Sequence, residues 1–287
     1  MAKAAFRLTM PARRTSAVVF ASPHSGSEYP AEFLAAARLD EQAIRSSEDA
    51  FVDRLFACAP EAGAPLIAAE APRAYVDLNR AAEELDPALI EGLRRVNPNP
   101  RIASGLGVIP RVVAGGRPIY HGRIPLAEAE ARLANVWHPY HAALGRLVDE
   151  AQHSFGQAIL IDCHSMPHEA LESLGPRGIR KPDVVIGDRF GASAAPGLVA
   201  EIEAAFARAG LRCARNMPFA GAYVAQAYGR PARRRHAVQI EIDRALYMDE
   251  ASIAPRPDFE SFRDLIGGVV ADIAALGRAD PLPMAAE

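Results

Sequence analysis

Short apolar runs at residues 16–21, 65–69, 75–78, 158–161, 184–186, 213–216 and 237–242 punctuate this chain. Between several of them, apolar residues return every three or four positions, at 31–37, 50–59, 126–155, 195–209 and 258–276. Strand-length runs alternating with amphipathic helices predict a mostly parallel sheet covered on both faces. The expectation is a single α/β sandwich over residues 1–287, with half of its residues apolar to fill the core. Pro139 interrupts the longest helical stretch and should bend or split it, because it lacks an amide donor and clashes with the preceding turn. Residues 86–121 are rich in Pro, Gly and Arg with little periodicity, which predicts a functional loop acting as a lid or pocket wall. The ends, about 1–14 and 280–287, are expected to be loose.

A net charge of -3 provides no basic footprint for nucleic acid or an anionic membrane, and no apolar run approaches the roughly 20 residues of a membrane span. The first 14 residues hold Lys3, Arg7, Arg13 and Arg14 but no uninterrupted apolar core of a secretory signal. Cys58, Cys163 and Cys213 are scattered in apolar stretches and read as reduced thiols, which fits the cytoplasm.

Two of the strand-like runs lead into histidines: His24 in Ser22-Pro23-His24-Ser25-Gly26 and His164 in Asp162-Cys163-His164-Ser165. Loops leaving the carboxyl ends of strands hold ligands in open α/β sheets, so both imidazoles should converge on one crevice. A catalytic zinc takes three protein ligands and leaves one position for water. His24 and His164 would supply two, and Asp49 is the candidate third. It lies at the start of a predicted helix, where a short carboxylate serves equally well as an N-cap. No His-Glu-x-x-His element is present. Asp162 can orient an imidazole as a hydrogen-bond acceptor.

After the run at 75–78 stand Asn79 and Arg80, an amide and a planar guanidinium suited to a substrate carboxylate. Arg73 and Arg111 are weaker candidates of the same kind; for any one arginine, a surface ion pair is the plainer reading. Gln239, Glu241 and Asp243 alternate with apolar residues, so they share one face of a strand. That face either lines a site or is simply solvated at a sheet edge. In a site, Glu241 would serve as general base, with His236 entering the same strand.

These segments, with Ser47-Glu48-Asp49-Ala50-Phe51-Val52-Asp53, Val76-Asp77-Leu78-Asn79-Arg80, Pro182-Asp183-Val184-Val185-Ile186-Gly187-Asp188 and Gln239-Ile240-Glu241-Ile242-Asp243-Arg244-Ala245-Leu246-Tyr247-Met248, resemble the N-formylglutamate amidohydrolase family over residues 16–250. The resemblance implies a three-layer α/β/α sandwich like that of zinc carboxypeptidases, with a mostly parallel mixed sheet and one catalytic zinc per chain. It implies His24, Asp49 and His164 as ligands, with Glu48 and Glu28 as rivals for the acidic position. Glu241 would be the general base and Asn79 with Arg80 the holders of the α-carboxylate. Arg73, Arg111 or Arg230 would supply a second cation, for a side-chain carboxylate or the tetrahedral oxyanion. The implied reaction releases formate and glutamate from N-formylglutamate. The sequence leaves open another N-acyl amino acid or a peptide as substrate, and a catalytically silent carboxylate-binding protein as a rival of a different class.

Overall fold

Alternate residues of the central strands part into two separate cores, and that parity places the functional groups. The computed structural model describes residues 4–93, 99–172 and 181–278. Seven strands form the main sheet: β1 (Phe6–Thr9), β2 (Val18–Ser22), β3 (Leu66–Ala69), β4 (Ala158–Met166), β5 (Val184–Gly187), β6 (Cys213–Arg215) and β7 (Arg235–Asp243). Their order is β1-β3-β2-β4-β7-β5-β6. Strands β3, β2, β4 and β7 are mutually parallel; β5 and β6 are parallel to each other but run against β7, and β1 runs against β3. The sheet is therefore mixed and mostly parallel, as the sequence predicts.

On one face Val18, Phe20, Ile159, Ile161, Val238 and Ile240 pack with residues of helices Val52–Leu55, Pro196–Arg208 and Phe259–Leu276. On the other, Val19, Ala21, Leu160 and Ala237 pack with those of helices Leu126–Arg132 and His138–Phe155. Phe20 is fully buried with its ring 5.9 Å from that of Phe56, so truncating it to alanine should cost about 3–5 kcal/mol. Residues 162 and 164 continue the Leu160 face, and 239, 241 and 243 the Ala237 face. Toward the carboxyl ends of β4 and β7, that face carries polar side chains and borders a cleft.

Three local predictions are corrected. Residues 6–9 belong to no loose terminus: they pair with β3 from Phe6↔Ala69 to Thr9↔Leu66. Residues 75–78 form no strand, because the Tyr75 and Val76 amides fold back onto the Pro72 carbonyl and the Asp77 amide is taken by Val108. The helix expected over 50–59 contracts to Val52–Leu55, since Phe51 adopts a left-handed φ of 67° at its start. The long element is divided near Pro139 as expected: a π turn, Leu133–Trp137, joins helices Leu126–Arg132 and His138–Phe155, and Pro139 stands in the first turn of the second, where its missing donor is tolerated. That element stops at Gly156, whose φ of 69° closes the helix end.

The aperiodic region at 86–121 contains the short helix Pro100–Ala103 and a two-stranded ladder, Val112–Val113 with Arg117–Pro118. Its described part walls the cleft through Arg101, Leu106, Pro110 and Val113; the wall reading holds. The tail at 280–287 lies outside the described residues. Among the described residues no helix is long and apolar enough to cross a membrane.

Candidate metal centre

A cleft of about 530 Å³ opens beside the carboxyl ends of β2, β4 and β7. His24 comes from the loop after β2, Asp49 from the turn before helix Val52–Leu55, and His164 from β4 itself. Each offers one ligand atom, these atoms lie within 4.8 Å of one another, and all three residues are buried. His164 Nδ1 is 2.9 Å from Asp49 Oδ2, and His24 Nδ1 is 3.5 Å from the same oxygen. His24 Nδ1 is buried without a hydrogen-bond partner among the described residues.

The opposite nitrogens are engaged. His24 Nε2 is 2.7 Å from Asp77 Oδ1, and His164 Nε2 is 3.0 Å from Asp162 Oδ2. Both imidazoles thus have a carboxylate on Nε2 and Nδ1 turned toward Asp49, the arrangement that fixes metal-binding histidines. Asp49 does not cap the helix: its Oδ2 faces the histidines and its Oδ1 takes a hydrogen bond from Arg244 at 3.0 Å. Glu48 is drawn away by Tyr29 and Arg45, and Glu28 does not line the cleft. Two imidazoles and one carboxylate, with a buried nitrogen lacking a partner, fit a divalent cation.

The charge balance points the same way. Burial pushes the Asp49 carboxyl upward, but the hydrogen bond from His164 and the nearby His24 imidazole hold it well below the usual carboxylate range. Asp77 is similar: burial opposes ionisation, yet the charges of His24, Arg73 and Arg80 keep its pKa well below normal. For His164 burial works against protonation, and Asp162, Asp49 and Glu241 overcome it and raise the pKa well above that of a free imidazole. Without a cation, the cluster draws a proton to compensate its carboxylates.

Glu241 stands opposite His164 in the β4–β7 register. It lines the cleft and receives a hydrogen bond from Gln239 Nε2 at 2.7 Å. Burial pushes its carboxyl up to about 7, with His164 opposing and Asp49 assisting the shift. A carboxylate near that value can both accept and return a proton at neutral pH.

Asn79, Arg80 and Arg73 line the cleft. The Asn79 amide is engaged within the chain: Nδ2 donates to Asp162 Oδ2 at 3.1 Å and Oδ1 accepts from the Val224 amide at 2.8 Å. Arg73 Nε donates to Asp77 Oδ2 at 3.1 Å. Arg111, Arg230 and His236 are not brought to the cleft. Arg111 pairs with Asp86 at 2.8 Å, and exposed Arg230 donates to the Gln226 and Gly229 carbonyls beside a different cavity. His236 sits near the start of β7, five positions before Glu241, which places it on the opposite face and roughly 16 Å away. Sequence reasoning missed Asp77 and Arg244 as supports of the cluster. The acid–base pairing that identifies them joins residues distant in the chain.

The sequence profile of the N-formylglutamate amidohydrolase family matches residues 16–248. The chain is 33% identical over 267 residues to an N-formylglutamate deformylase of Pseudomonas aeruginosa, covering 91% of this chain and 94% of that protein. It is 30% identical over 240 residues to one of Pseudomonas putida, covering 81% and 82%. The crystal structure of an N-formylglutamate amidohydrolase from Ralstonia eutropha JMP134 matches with a TM-score of 0.89 at 36% identity, over 96% of this chain and 99% of that one. A gene product of Agrobacterium tumefaciens, Atu2144, shares the fold at a TM-score of 0.62 and 17% identity, over 94% and 95%.

Proposed function

The chain belongs to the N-formylglutamate amidohydrolase family, and from that membership we propose that it hydrolyses the amide of an N-formyl amino acid, N-formyl-L-glutamate first, at a zinc held by His24, Asp49 and His164. The observation that carries the metal is the paired imidazole geometry, with both Nδ1 atoms facing Asp49 and both Nε2 atoms on carboxylates. A zinc ion bound there supplies a Lewis acid for the amide carbonyl and lowers the pKa of a bound water.

The chain's own groups do the rest. Glu241 takes a proton from the attacking water as the C–O bond forms, and delivers it to the amide nitrogen as the C–N bond breaks. Formate and the free amino acid leave. Arg80 pairs with the α-carboxylate, and Asn79 holds Asp162 in place behind His164. Arg73, anchored on Asp77, faces the developing oxyanion. The presence of Glu241 beside the metal group weighs against a silent binding protein. The carboxypeptidase-like fold belongs to the same reading, and three free cysteines suit a reducing cytoplasm.

The test is metal content of the purified protein, with formate release from N-formyl-L-glutamate measured before and after chelation and zinc return. About one zinc per chain with reversible loss of activity is the expected result. Bound zinc without formate release would move the substrate to another N-acyl amino acid. A metal-free but fully active protein would refute the zinc assignment.

A further inference from the structure

Among the described residues, four arginines line the cleft, and they divide by what they already hold. Arg73 and Arg244 are committed to buried carboxylates, Asp77 at 3.1 Å and Asp49 at 3.0 Å. Arg80 is buried yet meets only carbonyl oxygens, those of Leu106 at 2.9 Å and Asn79 at 2.7 Å. Arg101, exposed at the rim on helix Pro100–Ala103, has no carboxylate partner among the described residues. Burial depresses the Arg80 pKa, the Asp77 charge opposes that shift, and the charges of Arg73 and Arg101 add to it, so Arg80 and Arg101 are within electrostatic reach of each other. The acidic residues lining the cleft are Asp49, Asp77 and Glu241, which all belong to the metal group or its supports. Nearby Glu84 has its carboxylate taken by the Ala81 amide and the Asn99 side chain.

Arg101 is held in place by its loop. Its carbonyl accepts from the Leu106 amide at 2.8 Å, and the Leu106 carbonyl in turn receives Arg80 Nε. Arg111, fixed on Asp86, donates to the Ala103 carbonyl at 3.3 Å and ties the same loop down. Gly107 allows the close approach: a Cβ there would stand 2.5 Å from the Glu84 carbonyl oxygen. The loop thus presents Arg101 and, through the Leu106 carbonyl, also holds Arg80, whose nearest buried counter-charge is Asp77, while Arg101 has no carboxylate partner among the described residues.

We infer that Arg101 is the specificity residue for a second carboxylate, so that the cleft selects N-acyl amino acids with an acidic side chain over neutral ones. Arg80 takes the α-carboxylate and Arg101 the side-chain carboxylate, leaving the acyl amide toward Glu241. This rests on the hydrolytic reading for its substrate, but the carboxylate subsite itself can be read by binding alone. A charged hydrogen bond of this kind contributes about 1.5–3 kcal/mol, or roughly 10- to 150-fold.

The experiment has two arms, both on the zinc-loaded full chain. In the first, kcat/KM is measured for N-formyl-L-glutamate and N-formyl-L-glutamine with the natural protein, Arg101→Gln and Arg101→Lys. The natural protein should favour the acid by roughly 10- to 150-fold. Arg101→Gln should erase most of that ratio, chiefly through KM, and Arg101→Lys should restore part of it. In the second, calorimetry compares glutarate with butyrate, and the tighter binding of the dianion should be lost in Arg101→Gln. A natural protein without preference for the acid, or an Arg101→Gln variant that keeps both the ratio and the glutarate affinity, overturns the inference and leaves the hydrolytic reading intact. Arg101-dependent glutarate binding in a protein that hydrolyses neither formyl substrate does the reverse.

Discussion

At one end of the cleft, Asp49, Asp77 and Asp162 surround two imidazoles in the protein interior; at the other, Arg80 and Arg101 line the wall. The first end is built on central strands and the turns that leave them, the second on the turn at Arg80 and the aperiodic loop that carries Arg101. The donor set of the first suits a cation and that of the second an anion. A substrate with a carboxylate at one end and a polarisable carbonyl at the other is oriented by that contrast before any contact is formed. On the proposed reading, the chemistry rests on the rigid part of the fold, and selectivity on a loop that can vary without disturbing the sheet.

The comparison breaks most completely if the acidic end holds no metal. His164→Ala should abolish stoichiometric zinc and reduce formate release to background, as read by metal analysis and assay together. Glu241→Gln should leave zinc in place and lower kcat by about 10²- to 10⁴-fold. Because Glu241 must be ionised to accept a proton, the natural enzyme should lose kcat/KM as pH falls through the Glu241 pKa. That pKa is about 7 without a cation and lower with one beside it. The variant should lose that limb.

His141 links the two ends. Its Nε2 lies 2.9 Å from the Leu78 carbonyl, between Asp77 and Asn79, and burial drives its pKa down to about 4. The unfolded chain protonates this group first, near 6.5, so its contribution to stability is complete above pH 6.5 and is lost as pH falls toward 4. Thermal or urea unfolding at pH 7 and pH 4.5 should differ on this account by about 2–3 kcal/mol, and His141→Gln should flatten the difference. Asp162→Asn should weaken zinc affinity by about 10- to 100-fold through loss of the His164 anchor, measured by chelator competition. The smallest effect is expected at the arginine end: Arg111→Ala, which loosens the loop without touching substrate, should raise KM for N-formyl-L-glutamate a few-fold and leave kcat nearly unchanged.

The acidic end was largely legible in the sequence and the basic end was not. His164 and Glu241 could be placed because strand parity assigns a face to every second residue, and His24 because a strand must end before a turn. Asp49 could not be decided between cap and ligand, since both roles ask for a short carboxylate near a helix start; the left-handed Phe51 settles the cap question. Asp77 was hidden in what reads as a strand but folds as a turn on Pro72. His236 was assigned by proximity in sequence, although five positions along a strand carry a side chain to the wrong face. Arg101 lies where no periodicity applies. Only the tertiary inventory of which arginines already hold a carboxylate singles it out.

The sheet order also sets a schedule for the growing chain. Strand β7 is the last of the seven to be synthesised, yet it lies between β4 and β5 and is the only strand joining β1-β3-β2-β4 to β5-β6. Until it emerges, β4 presents an open edge, and the two partial sheets have no ladder between them. Inserting β7 closes that edge, unites the halves and delivers Glu241 in a single event. The sheet and the position of Glu241 therefore depend on the same late strand, and helix Phe259–Leu276 follows it to cover one face.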